Sequence, residues 1–333
     1  MTDTKLSTLL LKWYALNGRS LPWRFKGGAH PNPYVILVSE FMLQQTTVKT
    51  VIPYFHRFME RFPTIQALAS ADIEEVYQLW QGLGYYTRAR SLHATAQMIV
   101  NEFGSKFPDK RQDVLKLKGI GAYTVASFLA LAFNQPETVI DGNVMRIIAR
   151  LYHLTDSLDA IAEKIRLKAE ELTSREHPAD YASAIMDLGA TVCTPKNPQC
   201  LLCPLAEYCQ SKGAADVEQI PNRRKLEKKE KHGSVYLIYN SKGEILIRKR
   251  TEKGLLSGLY EFPWVDEGVL FPSAQDTENA VTHVFTHFKL TLQIYTFCTD
   301  TSPIADGIFI APKNLNNYPF STLMKKVIKK SLR

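Results

Sequence analysis

Hydrophobic and polar residues follow two different periods along this chain. Through residues 1–210, apolar positions recur every three or four residues, most clearly in 47–62 and 72–83, which is the spacing of amphipathic helices. Glycines such as Gly82 and Gly142 interrupt the pattern, and glycine often stands where a helix ends. The pattern therefore predicts a mainly α-helical region over 1–210, built from successive helices joined by short turns.

The hydrophobic period shortens to two in the C-terminal third of the chain. Residues 234–250 alternate on both sides of a turn at Gly243, which predicts a β-hairpin, and residues 280–297 predict two more strands. Residues 318–333 return to helical spacing and carry several lysines. We expect a small α+β domain over 233–333 that ends in a basic amphipathic helix.

Residues 211–232 separate these two regions and have a different composition. They are polar and charged, contain few large apolar side chains, and end in a run rich in lysine and arginine. Such a segment is typical of a linker. The sequence thus predicts two domains, 1–210 and 233–333, joined by a basic linker at 211–232.

Charge and composition narrow the kind of protein. The chain has 333 residues, a net charge of +8 and a pI near 9.1, which suits a polyanionic partner. No apolar run reaches the length of a membrane span. Lys12 interrupts the apolar stretch near the N-terminus, which we interpret as an amphipathic helix rather than a signal peptide. We expect a cytoplasmic protein in a reducing compartment, where clustered cysteines bind metal rather than form disulfides.

Most of the cysteines are clustered in one short segment. The clustered residues are Cys193, Cys200, Cys203 and Cys209, in the spacing C-x6-C-x2-C-x5-C. Four thiolates can bind a tetrahedral zinc ion or an iron–sulfur cluster. Zinc ribbons usually have two C-x2-C pairs far apart in sequence, so the spacing slightly favours iron–sulfur and leaves zinc open. The remaining cysteine, Cys298, falls in a predicted strand, where we expect an ordinary buried thiol.

A second motif lies in "LKLKGIGAYTVASFLALAF", where a short helix, a Gly-Ile-Gly turn at 119–121 and a long helix follow one another. The glycines allow a tight turn with exposed backbone N–H groups, and the N-terminus of the second helix adds partial positive charge. A corner of this kind binds a phosphate without reading base sequence. The pattern is that of a helix-hairpin-helix motif, although Gly-x-Gly can also form a plain turn between helices.

Two carboxylates occupy unusual positions. Glu40 is surrounded by apolar residues in "PYVILVSEFMLQQT", so either it is desolvated and tends to stay protonated or it lies on the polar edge of a helix. Asp141 follows an apolar segment and opens a predicted helix, a position where aspartate is a preferred cap. A protonated acid together with an ionised carboxylate is also the arrangement that cleaves glycosidic bonds through an oxocarbenium-like state.

These motifs occur together and in a recognisable order. The SE-x-MLQQT helix comes first, followed by "WQGLGYYTRAR", the hairpin, "DGNV" and the cysteine segment, and then by a strand region with "GLYEFP" and "FTH". Over nearly its whole length the chain resembles the MutY-type adenine DNA glycosylases of the helix-hairpin-helix base-excision superfamily. The resemblance implies a helix-hairpin-helix glycosylase domain over 1–210 with a [4Fe–4S] cluster loop at 193–209, followed by a MutT-like (Nudix-fold) domain over 233–333.

The resemblance also implies roles for individual residues. Glu40 would protonate an adenine mispaired with 8-oxoguanine or guanine as it leaves, and Asp141 would stabilise the cationic sugar. Tyr123 and Asn143 match positions that support the sugar and Asp141. Tyr123 stands where related bifunctional glycosylases have a lysine that forms a Schiff base, so we predict base removal without an efficient lyase step.

A target base that is stacked inside a duplex must be flipped out before it can react. The residues that resemble the family's wedge loops are Gln45, Thr46, Leu83 and Tyr85. We expect Gln45 and Tyr85 to enter the helix stack, with the other two beside them. By the same resemblance, Gly119 and Gly121 of the hairpin would hold the DNA backbone.

The C-terminal domain resembles the Nudix fold through "GLLSGLYEFP", but the metal-binding R-E-x-x-E-E stretch that should follow is missing. We therefore predict a recognition module that does not hydrolyse nucleotides. Phe285, Thr286 and His287 align with the family's loop that reads 8-oxoguanine, and Thr286 stands where many relatives have serine.

The resemblance thus implies a monofunctional adenine DNA glycosylase that binds duplex DNA as a monomer and is associated with the nucleoid, and it leaves open whether the linker contacts other repair proteins. Three rival hypotheses are a pyrimidine or thymine-mismatch glycosylase of the same superfamily, a non-catalytic DNA-binding protein, and a nucleotide hydrolase. The "FTH" domain argues against the first, because such relatives usually lack it. The missing carboxylates argue against the last.

Overall fold

The computed structural model describes residues 4–24, 32–222, 228–252, 254–268 and 270–332. The chain divides into two compact units, one made of Met1–Ala69 with Ala94–Lys225 and the other of Ser70–His93 with Leu226–Arg333. None of the helices in this described part has the length and apolar character that crossing a membrane would require.

The first unit is helical, as the sequence predicts. The helices of the chain are α1 (Lys5–Asn17), α2 (Pro33–Leu43), α3 (Val48–Arg61), α4 (Ile65–Ala69), α5 (Ile73–Trp80), α6 (Thr87–Glu102), α7 (Arg111–Val114), α8 (Ala122–Phe133), α9 (Gly142–Leu151), α10 (Leu158–Leu172), α11 (Pro178–Thr191) and α12 (Thr322–Ser331). The second unit contains α5, the start of α6 and α12. Because α2 and α8 bury most of their side chains and pack against each other, they form the centre of the first unit.

Another part of the first unit's core joins α1, α9, α10 and α11. Gly189 of α11 lies against Asn143, which belongs to the first turn of α9. A Cβ atom at Gly189 would lie only 2.5 Å from the Cβ of Asn143, which is closer than two carbon atoms pack. The glycine therefore lets α11 approach the start of α9 and fixes the space that Asn143 occupies.

The second unit is built on one sheet. Its strands are β1 (Lys229–Tyr239), β2 (Ile245–Lys249), β3 (Tyr260–Glu261), β4 (Trp264–Val265), β5 (Gln275–Val284), β6 (Phe288–Cys298) and β7 (Gly307–Ile310). The main order is β3-β2-β1-β6-β5, with β4 on β1 and β7 on β2. β1 and β6 pair in parallel, and β1–β2 and β5–β6 pair antiparallel. The predicted hairpin, the two further strands and the C-terminal helix are thus confirmed.

Residues 70–93 pack with the strands rather than with the helical unit. The side-chain amides of Gln78 and Gln81 donate to the main-chain oxygens of Asn317 at 2.9 Å and Phe320 at 3.1 Å. The predicted helical domain, 1–210, contains residues 70–93, so the prediction does not account for their packing with the strands. Local periodicity could not reveal it, because the bonded partners lie about 240 residues further along the chain.

The structure also differs from two expectations about shorter segments. The predicted linker 211–232 begins as part of the first unit, since Ile220 is 3% exposed and packs in its core, and β1 already starts at Lys229. Residues 223–227, which carry part of the predicted basic run, lie outside the described residues. Cys298, expected to be a buried thiol, is exposed. It is the last residue of β6, and the alternation of buried side chains along this strand ends earlier, at Ile294.

Candidate active site

A cavity of about 640 Å³ opens in the first unit. It is lined by side chains of α2, α3, α8, α9 and α11 and of the loops that precede them. All four residues predicted to be catalytic line it, namely Glu40, Tyr123, Asp141 and Asn143. Thr46, predicted to lie beside the DNA wedge, also lines it. Its volume is that of a pocket for a ligand the size of a nucleotide base with its sugar.

Glu40 lies on α2 among apolar side chains and is 4% exposed. Among the described residues, its Oε2 atom has no hydrogen-bond partner. Burial raises the pKa of Glu40 to about 7, the hydroxyl of Ser127 opposes this rise, and the negative charge of Asp141 adds to it. Near neutral pH a large fraction of Glu40 therefore carries a proton, as a general acid requires.

Asp141 caps the N-terminus of α9. Its Oδ1 atom accepts hydrogen bonds from the backbone N–H groups of Asn143 and Val144, each at 2.8 Å. Its Oδ2 atom accepts from the side-chain amide of Asn143, also at 2.8 Å. These bonds fix the carboxylate at a helix N-terminus, where negative charge is favourable. The capping role and a role in the cavity therefore coexist in one side chain.

Tyr123 lies in the first turn of α8 and faces the same cavity. Its hydroxyl group donates to the thioether sulfur of Met186 at 3.8 Å. Burial raises the pKa of Tyr123 well above its ordinary value, and the negative charges of Glu40 and Asp141 raise it further. The side chain is thus a neutral phenol in the same cavity as the two carboxyl groups, and it offers no amine that could attack a sugar.

A buried ion cluster beside this cavity was not predicted from the sequence. Asp187 of α11 is fully buried, and it accepts hydrogen bonds from Arg19 Nε at 2.8 Å and Arg24 Nη1 at 2.5 Å. Although burial opposes it, the charge of Arg24 and the bonds from both arginines lower the pKa of Asp187. Both arginines line the cavity. The available signal was an aspartate in the apolar stretch "AIMDLGA", the same kind of signal that identified Glu40.

The hairpin has the geometry that the motif predicts. α7 and α8 flank a turn in which Gly119 has a φ of 75°, and a residue with a side chain rarely adopts this conformation. Gly119 and Gly121 are both exposed. The turn therefore leaves its backbone and the N-terminus of α8 open to an anionic partner.

The two residues predicted to enter the DNA stack share an uncommon backbone conformation. Gln45 has a φ of 58° and Tyr85 has a φ of 50°, which costs a residue with a side chain of order 1 kcal/mol. Gln45 is exposed, and Tyr85 is 46% exposed. Both stand on tight loops that project them outward. Leu83, by contrast, is 6% exposed, so little of its side chain is open to DNA in this conformation.

A second cavity, of about 710 Å³, lies within the second unit. It is lined by the loop before α6 and by the predicted recognition residues Phe285, Thr286 and His287. The hydroxyl groups of Tyr85 and Thr286 are 2.6 Å apart, a hydrogen-bond distance. The structure thus brings together two residues that the sequence separates by 201 positions and that were predicted for different steps.

The clustered cysteines line one small cavity at the end of α9 and α11. Arg150 lines it as well, and its guanidinium donates to the main-chain oxygens of Thr194 at 2.6 Å and Pro195 at 2.9 Å. Within the described part of the chain, no three metal-binding side chains are close enough to hold a single ion. Four cysteine thiols that line one cavity are a donor set that fits an iron–sulfur cluster. Burial raises the pKa of Cys203 to about 11, so bound metal is needed to hold its thiolate at neutral pH.

The fold and the site together define a known class of protein. Residues 38–175 match the HhH-GPD superfamily base excision DNA repair proteins, 234–330 match the NUDIX domain, and 193–209 match the iron-sulfur binding domain of endonuclease III. A solved thermostable thymine-DNA glycosylase matches with a TM-score of 0.55 and 26% identity, over 62% of this chain and 94% of its own. These matches place the chain among helix-hairpin-helix DNA glycosylases. They also confirm the predicted [4Fe–4S] cluster.

The family is shown by similarity over most of the chain. An adenine DNA glycosylase of Buchnera aphidicola is 38% identical over 273 residues, which are 80% of this chain and 76% of the relative. An adenine DNA glycosylase of Mus musculus is 32% identical over 404 residues, 98% of this chain and 78% of the relative. The chain belongs to the adenine DNA glycosylase family of base-excision repair enzymes.

Proposed function

We propose that this protein hydrolyses the N-glycosidic bond of adenine placed opposite 8-oxoguanine or guanine in duplex DNA. The observation that carries the proposal is the cavity in which a buried Glu40, with a pKa of about 7, faces Asp141. The two groups differ in their surroundings. Glu40 is desolvated, and its Oε2 atom has no hydrogen-bond partner among the described residues, whereas Asp141 is held by three N–H donors. Such a pair supplies a proton donor and an anion within one site.

The reaction begins when the duplex docks its phosphates on the hairpin and the adenine leaves the stack. In the cavity, Glu40 donates its proton to a ring nitrogen of the adenine, which makes the base a better leaving group. The bond between the sugar C1′ and the base nitrogen then breaks, and Asp141 stabilises the positive charge that develops on the sugar. Water adds to C1′ and loses a proton, which leaves an abasic site and free adenine.

The partly buried Arg19 and Arg24, held by the buried Asp187, are suited to recognise the base. Both arginines line the cavity, and each forms an ion pair with Asp187, which is not among the lining residues. Guanidinium donors at fixed positions can read the acceptor nitrogens of a purine edge. We therefore assign Arg19 and Arg24 to adenine recognition and Asp187 to their positioning.

The enzyme is monofunctional in this proposal. A lyase step needs an amine that forms a Schiff base with the sugar. The residue next to Glu40 and Asp141 is Tyr123, whose phenol stays neutral, so the product is an intact abasic site. When bound, the [4Fe–4S] cluster supplies a structural cross-link of the cysteine segment 193–209.

The second unit reads the base opposite adenine. Thr286 and His287 are exposed at the cavity of the second unit, and their hydroxyl and imidazole groups can bond the edge of 8-oxoguanine. Between β4 and β5 the described residues form no helix, and Asp266 there pairs with Lys231 at 2.8 Å. This supports a recognition module rather than a metal-dependent nucleotide hydrolase.

Glu40→Gln tests the assignment. The amide keeps the shape of the side chain but cannot donate a carboxylic proton, and general acid catalysis is worth about 10²–10⁴-fold. We expect a loss of that size in single-turnover adenine release from an 8-oxoguanine:adenine duplex, measured after alkali cleavage of the abasic site. Glu60→Gln, an exposed glutamate on α3, is the control and should keep the wild-type rate. Near-normal cleavage by Glu40→Gln would remove Glu40 from the mechanism.

A further inference from the structure

The loop between α5 and α6 holds an unusual backbone. Gly82, Gly84 and Tyr85 all have positive φ values, of 112°, 72° and 50°. The two glycines adopt this region easily, but Tyr85 does so against its intrinsic preference. A strained aromatic residue on a short loop stays in one conformation only when surrounding contacts hold it there. Besides the hydrogen bond between the hydroxyl groups of Tyr85 and Thr286, the contacts that do so here include those of one buried side chain.

That side chain is Arg88, near the start of α6, which is 6% exposed. Its Nη2 atom donates to the main-chain oxygens of Leu83 and Gly84, each at 3.1 Å. Its guanidinium carbon lies 5.5 Å from the ring centre of Trp80 and 5.4 Å from that of Tyr85. The planar cation therefore bonds the loop backbone and contacts the ring that the loop presents.

Other contacts fix the same loop from its two ends. The indole nitrogen of Trp80 donates to the oxygen of Gly84 at 3.2 Å, and the backbone nitrogen of Arg88 donates to the oxygen of Tyr85 at 2.8 Å. Burial lowers the pKa of Arg88 to about 10. This value is still well above neutral, so the guanidinium keeps its charge, and its hydrogen bonds are of the stronger, charge-assisted kind.

We propose that Arg88 is the positioning residue for Tyr85 as the DNA wedge. It holds the loop in the conformation that projects the ring, so the loop need not become ordered when the ring enters the base stack. This inference rests on the proposed function, in which Tyr85 fills the space that the flipped adenine leaves. It adds a residue that contacts neither base nor sugar and that acts through Tyr85.

Insertion of Tyr85 into the base stack and cleavage of the glycosidic bond can be measured separately. Tyr85 has to overcome base stacking only when the target adenine is itself stacked in the duplex. A loop that has lost its preorganisation should therefore slow cleavage of a fully paired duplex that carries one 8-oxoguanine:adenine mispair. It should have little effect on a duplex of the same sequence in which the base pairs beside the adenine are also mismatched. A general loss of structure would slow both reactions equally.

The experiment compares Arg88→Met with Arg88→Lys and with Arg90→Met, an exposed arginine of the same helix. Single-turnover rates are measured on both duplexes, and 2-aminopurine next to the target adenine reports unstacking by its fluorescence. For Arg88→Met we expect the single-turnover rate to fall on the paired duplex by a factor at least about ten times greater than on the mismatched duplex. The rise in 2-aminopurine fluorescence should also be smaller than with the wild-type protein. Arg88→Lys should show the same selectivity, because one ammonium group cannot both lie over two rings and bond two carbonyls.

Equal losses on the two duplexes, or no loss on either, would overturn the role of Arg88. If Arg88→Met strongly lowers the melting temperature of the protein, the ratio of the Arg88→Lys cleavage rates on the paired and mismatched duplexes decides whether Arg88 positions Tyr85. The wild-type protein separates this inference from the proposed function. If wild type releases no adenine, the proposed function fails, whereas normal release with an unchanged ratio in the variants refutes the positioning role alone.

Discussion

At the residue scale, the chemistry of the site depends on how differently the protein surrounds two carboxyl groups. Glu40 sits in an apolar helix with one oxygen left without a partner among the described residues. Asp141 sits at a helix N-terminus, where its carboxylate accepts three hydrogen bonds from Asn143 and Val144. The sequence could suggest both settings, because each depends on neighbours within a few positions. It could not reveal which side chains bind Asp187, because the two arginine partners lie more than 160 positions away.

The pKa of Glu40 leads to a prediction about pH. Burial raises this pKa to about 7, and the protonated form is the reactive one. The protonated fraction is high below this value and falls as the pH rises through it. The single-turnover rate of adenine release should therefore decline by about tenfold per pH unit above neutral. The slower Glu40→Gln variant should not show this decline. A rate that rises through neutral pH would contradict the role of Glu40 as acid.

At the element scale, α9 and α11 determine where Asp141 points. Asn143 bonds the carboxylate from the first turn of α9, and Gly189 of α11 leaves just enough space for Asn143. The helices themselves were predictable, since their hydrophobic periods are regular. Their close approach was not, because a glycine inside a helical pattern carries no local sign of which residue lies opposite. For the same reason the sequence did not indicate that α5 packs with the strand unit.

Gly189→Ala tests this packing. The new methyl group would lie 2.5 Å from Asn143 Cβ, so Asn143 must shift and Asp141 loses its side-chain amide donor. Overpacking of this kind typically costs about 1–3 kcal/mol of stability, and we expect single-turnover cleavage to fall by about tenfold or more because the displaced carboxylate stabilises the sugar less well. Thr191→Ala, an exposed position at the end of the same helix, should leave the rate unchanged. Wild-type cleavage by Gly189→Ala would show that Asp141 does not depend on this contact.

At the scale of the whole molecule, net charge and cofactor content follow from the composition. The charge of +8 and the exposed hairpin suit binding to phosphates, and the clustered cysteines suit one iron–sulfur cluster. Composition predicted both features in outline. It did not predict how the chain divides, because residues 70–93 join the strand unit through contacts that are distant in sequence.

Affinity for an undamaged duplex should fall steeply as salt concentration rises. Each phosphate that the protein neutralises releases counterions, and the slope of log affinity against log salt is about −0.9 per contact. Fluorescence anisotropy of a labelled duplex over a salt series measures this slope. A flat response would show that the protein does not hold DNA through its basic groups.

The cofactor makes a separate prediction. The purified protein should contain about four iron atoms per chain, as one [4Fe–4S] cluster requires, measured by elemental analysis against protein concentration. Replacing Cys203 with serine should lower the iron content, because one thiolate of the set is lost. One zinc ion per chain in place of iron would contradict the assignment of the cysteine segment.

Release of adenine from a mispair with 8-oxoguanine is tested by identifying the base that the protein sets free. Duplexes of one sequence carrying 8-oxoguanine:adenine, guanine:adenine, guanine:thymine and thymine:adenine would be incubated with excess protein, and the free base and abasic strand quantified. We expect free adenine from the first two duplexes, fastest from the one with 8-oxoguanine, and strands that break only after alkali treatment. Release of thymine from guanine:thymine, or tight binding with no base released from any duplex, would contradict it.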